Sequence, residues 1–219
     1  MNVVEVHIPA GSATLEGSLS MPHHASGVVL FAHGSGSSRH SSRNIHVASI
    51  LHAAGIGTVL FDLLTSAEEE IDIRTRQYRF DIPLLAERLV HATRWIDTRS
   101  ELHHPRLGYF GASTGSAAAL IAAATLGDRV SAVVSRGGRP DLAGDALERV
   151  TAPTLLIVGG NDHGVIELNE GAFERLRCEK HLAIVPHATH LFEEPGTLDE
   201  VARLAAEWFE RHLETAVRP

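Results

Sequence analysis

The first strong pattern along the chain is alternation. Val4, Val6 and Ile8, then Leu15, Gly17, Leu19 and Met21, place apolar or small residues at every second position. A period of two sends one set to a buried face and the other to solvent. Val3–Ile8 and Thr14–Met21 therefore read as the strands of an antiparallel hairpin, turning at Pro9-Ala10-Gly11. After a loop over Pro22–Gly27 the pattern changes. Val28–Ala32, Thr58–Asp62, Leu107–Ala112, Ala132–Ser135, Pro153–Val158 and His181–Val185 are short and mostly apolar throughout. Runs of that kind mark strands covered on both faces, as in a parallel sheet.

Stretches with helical spacing separate them. They cover Asn44–Ala54 (stopped by Gly55), Arg76–Asp97, the Ala-rich run from residue 114 to 126, Pro140–Arg149, Leu168–Leu176 and Thr197–Leu213. Pro83 falls inside Arg76–Asp97 and divides a first turn from the helix body. Leu63–Thr75, with its Glu68-Glu69-Glu70 run, is expected to be a long excursion over the surface. A hairpin followed by alternating strands and helices predicts an α/β fold. Its sheet is doubly wound and mostly parallel, of about eight strands, with helices on both faces. Ligands bind such sheets beyond the carboxyl ends of the strands. No internal repeat or linker divides the chain, so residues 1–219 are expected to form one domain.

Composition narrows the function classes. A formal net charge of −8 argues against a nucleic-acid partner, which would want a basic face. No apolar run approaches the length of a membrane span. The single cysteine, Cys178, excludes an intrachain disulfide. With no basic and apolar leader in Met1–His7, the expected compartment is the cytoplasm. The 15 histidines, including the pairs His23-His24 and His103-His104, suggest a metal at first sight. Their spacings do not match zinc-ligand sets, so surface histidines are expected, with no metal and no cofactor.

The chemistry centres on Leu107-Gly108-Tyr109-Phe110-Gly111-Ala112-Ser113-Thr114-Gly115 and the Ala-rich run after it. A strand that becomes a helix within a few residues crowds the backbone, and Gly111 and Gly115 remove the side chains that would clash. Ser113 at the bend is a nucleophile candidate, with the positive end of the next helix aimed at it. The plainer alternative is a glycine-rich turn with an idle serine. A serine needs a base, and the base needs an orienting acid. Pro186-His187-Ala188-Thr189-His190 offers two histidines beyond the last strand. His190 is the first choice, with Leu191-Phe192 to anchor it, and His187 the second. For the acid, Asp162 follows Gly159-Gly160-Asn161 at a strand end, and Asp141 competes, with helix capping as its simpler role. Backbone amides for an oxyanion are expected from Thr114 and, in the His33-Gly34-Ser35-Gly36 loop, Ser35. That loop otherwise reads as a flexible turn or phosphate cradle, though no Gly-Lys-Ser/Thr follows it.

Together these segments resemble the α/β-hydrolase superfamily over essentially the whole chain, and most closely its dienelactone-hydrolase-like branch. The resemblance implies one domain without a large lid insertion. Dienelactone hydrolase carries a cysteine where this chain has Ser113, so its lactone chemistry is not implied. A serine there resembles a general carboxylesterase acting on small acyl esters, with an acyl-enzyme formed on a Ser113, His190, Asp162 triad. Thioesters, amides or acyl transfer use the same intermediate. An idle, ligand-binding member of the fold is the alternative from another class. Arg39, Arg43 and Arg136 are candidates to clamp an anionic substrate group, against the plainer reading as salt-bridge partners. The exposed faces of the long helices leave a homodimer open.

Overall fold

The computed structural model describes residues 3–213; residues 1–2 and 214–219 of the expected domain lie outside the described residues. Strands β1 (Val3–Ala10) and β2 (Ala13–Ser20) form the antiparallel hairpin, and β2 continues antiparallel onto β4 (Gly57–Phe61). Strands β3 (Gly27–Ala32), β5 (Arg106–Ala112), β6 (Ala132–Arg136), β7 (Thr154–Gly159) and β8 (Lys180–Val185) run parallel with β4. The eight strands lie in the order β1-β2-β4-β3-β5-β6-β7-β8, so the expected doubly wound, mostly parallel sheet is present.

The helices are α1 (Ser42–Ala53), α2 (Ser66–Thr75), α3 (Ile82–Asp97), α4 (Thr114–Leu126), α5 (His163–Arg175) and α6 (Thr197–Leu213). Alternate strand residues divide the core. Leu30, Tyr109, Val133 and Leu156 pack with residues of α3 and α4, whereas Val29, Phe110, Val134 and Ile157 pack with α1 and α6. Full burial of β3 and β7, and of β5 after the exposed Arg106, follows from cover on both faces. β3 has β4 on one side and β5 on the other. That reversal of strand order opens a crevice at the carboxyl ends, where the loops after β3 and β5 meet.

Four expectations need correcting, the first being the Leu168–Leu176 helix, which runs His163–Arg175. Leu63–Thr75 is no irregular excursion: α2 occupies Ser66–Thr75, started by a capping box in which Thr65 and Glu68 exchange side-chain and backbone bonds. The Arg76–Asp97 helix begins only at Ile82, where Asp81 caps it and Pro83 occupies its first turn. Residues 76–81 form a turn tied to the buried Asp72, whose carboxylate accepts from the Tyr78 and Arg79 amides. The segment Pro140–Arg149 is a kinked 3-10 helix, broken at Gly144 with φ of 53°. No described helix is long and apolar enough to cross a membrane.

Candidate active site

The bend between β5 and α4 places Ser113 at φ 49° and ψ −121°, a region that non-glycine residues rarely enter. The surroundings fix it there. Its amide donates to the Arg136 carbonyl at 3.2 Å. Its carbonyl accepts from the Ser116 amide at 3.1 Å, the Ser116 hydroxyl at 2.7 Å and the Arg139 amide at 3.1 Å. Gly115 is forced by packing, since a Cβ there would run into the Ala32 carbonyl oxygen. The end of β3 can therefore close onto the elbow.

The loop after β3 follows directly. A Cβ on Gly34 would sit 3.1 Å from the Ser113 Cβ, which puts this loop against the nucleophile candidate. The Ser35 and Thr114 hydroxyls are 2.8 Å apart, and Ser35 Oγ also donates to the Arg79 carbonyl at 3.1 Å. The two residues expected to supply oxyanion amides thus lie side by side. Thr114 opens α4, so its N–H belongs to the unpaired amides of a helix start. His33 braces the loop from beneath. It is 7% exposed. Its Nδ1 contacts the Gly34 carbonyl at 3.0 Å, and its Nε2 accepts from the Leu63 amide at 3.0 Å. These partners require a neutral ring with its proton on Nδ1, and burial pushes its pKa down, outweighing the Gly34 bond.

Asp162 and His190 come together at the ends of β7 and β8, His190 Nδ1 lying 2.7 Å from Asp162 Oδ2. The two loops are laced by the Gly160 amide on the Val185 carbonyl and the Asn161 amide on the Ala188 carbonyl. Glu194 ties down the His190 loop by accepting from the Thr189 hydroxyl at 2.6 Å and its amide at 3.1 Å. These bonds hold its carboxyl below the usual range. A Cβ on Gly137 would lie 3.7 Å from His190 Cε1. His190 thus rests over residue 137, next to the Arg136 carbonyl that holds Ser113. Among the described residues no hydrogen bond joins Ser113 to His190 directly. Catalytic hydrogen bonds commonly tighten only when substrate is bound.

The competing candidates lie elsewhere. His187 is exposed, at φ 64°, and its carbonyl serves Asn161. Asp141 lies within the 3-10 helix and pairs with Arg139 through two contacts of 2.8 Å. The three arginines differ sharply. Arg39 is committed to Asp62 at 2.6 Å and Glu16 at 2.7 Å, the plainer salt-bridge role. Arg43 makes a 3.4 Å contact with the exposed Glu193. Arg136 is buried and meets no carboxylate among the described residues. Sequence reading missed Ser116, Arg139, Thr189, Glu194 and Arg79 as supports. Only the Thr65-x-x-Glu68 box, which builds the helix carrying Asp72, left a local signal. No cluster of three or more metal-binding side chains occurs among the described residues. A cavity of about 490 Å³ opens beside the loop after β3, lined by Ser37, His40, Asp62, Glu69 and Ile73 among others.

An eight-stranded sheet of this order, with a strained serine between strand and helix and an acid–histidine pair on later loops, defines an α/β-hydrolase. Residues 16–216 match the model of the dienelactone hydrolase family, and the chain belongs to that family. It is similar to the crystal structure of a dienelactone hydrolase from Anabaena variabilis, with 58% identity and a TM-score of 0.96 over 97% of this chain and 99% of that one. Est1E from Butyrivibrio proteoclasticus shares the fold, at a TM-score of 0.80 and 14% identity over 95% of this chain and 98% of that one. Two curated relatives from Mycobacterium tuberculosis strains, provisionally named phosphoribosyl transferases, are 56% identical over 95% of this chain but only 46% of their own length. The chain therefore spans about half the length of the curated relatives it matches.

Proposed function

We propose that the chain is a serine hydrolase of small carboxylic esters. The observation that carries this reading is the 2.7 Å His190–Asp162 contact, set over the segment that pins the strained Ser113. His190 takes the Ser113 proton through Nε2 while Oγ bonds to the ester carbonyl carbon. The carbonyl oxygen becomes an oxyanion facing the Ser35 and Thr114 amides. Two such donors act by preorganised charge stabilisation, each worth about 2.7–4 kcal/mol. Collapse breaks the bond to the alcohol, which leaves with the proton from His190. Water then attacks the acyl-enzyme by the same route, His190 removing its proton, and releases the acid. Asp162 keeps the imidazole in the required tautomer and stabilises its cation. A site without a large lid insertion favours short or medium acyl chains.

Membership of the dienelactone hydrolase family supports hydrolysis, while Ser113 favours an ordinary ester over the lactone of the family's namesake. The transferase name of the curated relatives belongs to proteins about twice this length, of which this chain matches 46%. A soluble, cytoplasmic enzyme with a small-molecule substrate fits these features. Treatment with a fluorophosphonate, followed by mass spectrometry, tests the reading. An adduct on Ser113, absent from Ser113→Ala and from unfolded protein, is expected, together with turnover on an ester panel that includes thioesters and amides. A folded protein without adduct or turnover would instead be an idle ligand-binding member.

A further inference from the structure

The segment that ends β6, Arg136-Gly137-Gly138-Arg139, touches both Ser113 and His190. Its first carbonyl accepts from the Ser113 amide at 3.2 Å, and its last amide donates to the Ser113 carbonyl at 3.1 Å. Between these two grips, a Cβ on Gly137 would lie 2.9 Å from the His190 carbonyl oxygen and 3.7 Å from its Cε1. A shift of the segment therefore moves Ser113 and His190 relative to each other. Two consecutive glycines give it more intrinsic backbone freedom than any other pair of residues would. Larger residues cannot stiffen it, because a Cβ on Gly138 would collide with the Ser135 and Ser116 hydroxyls. Its position depends on bonds from outside.

Two such bonds fix the glycines. The Gly137 amide donates to the Ile157 carbonyl of β7 at 2.8 Å. The Gly138 carbonyl accepts from Asn169 Nδ2 at 3.0 Å. Asn169 belongs to α5 and is fully buried; Nδ2 also donates to the Val165 carbonyl at 2.8 Å, while Oδ1 is buried without a partner among the described residues. A helix packed on a sheet ordinarily turns aliphatic side chains inward, and an orphaned amide oxygen costs stability. In α5 only Asn169 and Ala172 are buried. The costly amide stands where it serves the site. It lies seven residues, about two turns, beyond Asp162, which occupies the N-cap position of the same helix. One helix thus carries the acid at its start and, from its middle, pins the segment that grips the nucleophile.

We propose that Asn169 is a positioning residue: its amide fixes the Gly138 carbonyl and, through it, the placement of Ser113 against the Asp162–His190 pair. Its bonds go to Gly138 and Val165, so it acts through the backbone of the segment rather than on substrate. Its loss leaves the substrate's contacts in place and loosens the geometry in which His190 takes the Ser113 proton. Misplacement of reacting groups by about 1 Å lowers rates by about two orders of magnitude. The effect on turnover rests on the hydrolase reading; the hold on the elbow does not.

Two measurements test it. Asn169→Leu keeps the size of the side chain and removes its donors. At a temperature where circular dichroism shows variant and wild type folded, kcat for p-nitrophenyl butyrate and the rate of Ser113 labelling by a fluorophosphonate are compared. Both are expected to fall about tenfold or more, with KM changed less than about twofold. Val6→Ala, in the core under β1 at the far edge of the sheet, is expected to keep both rates, which separates positioning from lost stability. In parallel, amide hydrogen exchange by NMR follows Ser113 and Arg139. Exchange about tenfold faster or more is expected at both in Asn169→Leu, with β1 and β2 unchanged. Should Asn169→Leu fail to fold, Asn169→Ala takes its place. Labelling within twofold of wild type, a fall matched by Val6→Ala, or unchanged exchange at Arg139 overturns the proposal. If the wild type neither labels nor cleaves the ester, the hydrolase reading fails, and exchange at Arg139 alone decides whether Asn169 holds the elbow.

Discussion

His190 Nδ1 meets Asp162 Oδ2 at 2.7 Å across 28 residues of sequence. Asp162 holds the N-cap position of α5, yet its side chain bonds no amide of that helix. A residue type that ordinarily caps is here turned to a histidine. Asp162→Asn should keep the fold and lower kcat by about 10³–10⁴, because the amide no longer selects the tautomer that leaves Nε2 free. Ester turnover under saturating substrate measures this, and a loss below tenfold would remove Asp162 from the role proposed.

The backbone of Ser113 is held at φ 49°, a strain that the side chain of alanine would share and glycine would not. Ser113→Gly is therefore expected to be more stable than Ser113→Ala by about 1 kcal/mol, the relief of strain exceeding the added chain entropy of glycine. Urea unfolding of the two inactive variants gives the difference. Equal stabilities would mean that the elbow relaxes freely once the hydroxyl is gone.

Asp72 is fully buried and receives the Tyr78 amide at 2.7 Å, the Arg79 amide at 3.0 Å and the Arg79 Nε. Burial pushes its carboxyl up, but the Arg79 and Tyr78 donors outweigh it and the net direction is down from 3.8. This stabilisation is present above that ordinary value and fades as pH falls through the lowered one. Asp72→Ala should cost about 3 kcal/mol by leaving Arg79 without its anion. It should also lower turnover, since Ser35 Oγ rests on the Arg79 carbonyl. Denaturant unfolding and kcat together test this; a stability loss with unchanged kcat would separate Asp72 from the oxyanion loop.

His33 is neutral in the fold, with its pKa pushed below 6.5 chiefly by burial. The unfolded chain therefore binds a proton that the folded one refuses. Stability from this group is complete above about pH 6.5 and declines as pH drops from there toward the lowered folded value. His33→Gln should flatten that decline between pH 7 and 5, read from unfolding midpoints in the two proteins. The same slope in both would assign the acid sensitivity to another group.

Local sequence carried much of this. The apolar runs of β3, β5 and β7 marked buried strands because cover on both faces leaves no polar position to interrupt them. The elbow was visible because a strand that turns into a helix needs small residues at 111 and 115. α2 was missed despite its Thr65-x-x-Glu68 box, because its residues show no apolar stripe facing the sheet and only Asp72 among them is buried. The late start of α3 followed from Pro83, whose place is the first turn of a helix.

By itself the sequence determined the order of the strands and of every helix but α2, the position of the bend at Ser113 and the short set of acids and histidines at strand ends. All of these rest on near-neighbour sterics and hydrophobic period, which act along the chain. Only the tertiary structure brings Asp162 against His190, while Asp141 pairs with Arg139 and His187 stays exposed. It alone separated the salt-bridged Arg39 from Arg136, which meets no carboxylate among the described residues. Those distinctions depend on which charged groups share a low-dielectric space, and the groups come from segments tens of residues apart. No local pattern encodes such a meeting; the sheet order that joins β5, β6, β7 and β8 at their carboxyl ends creates it.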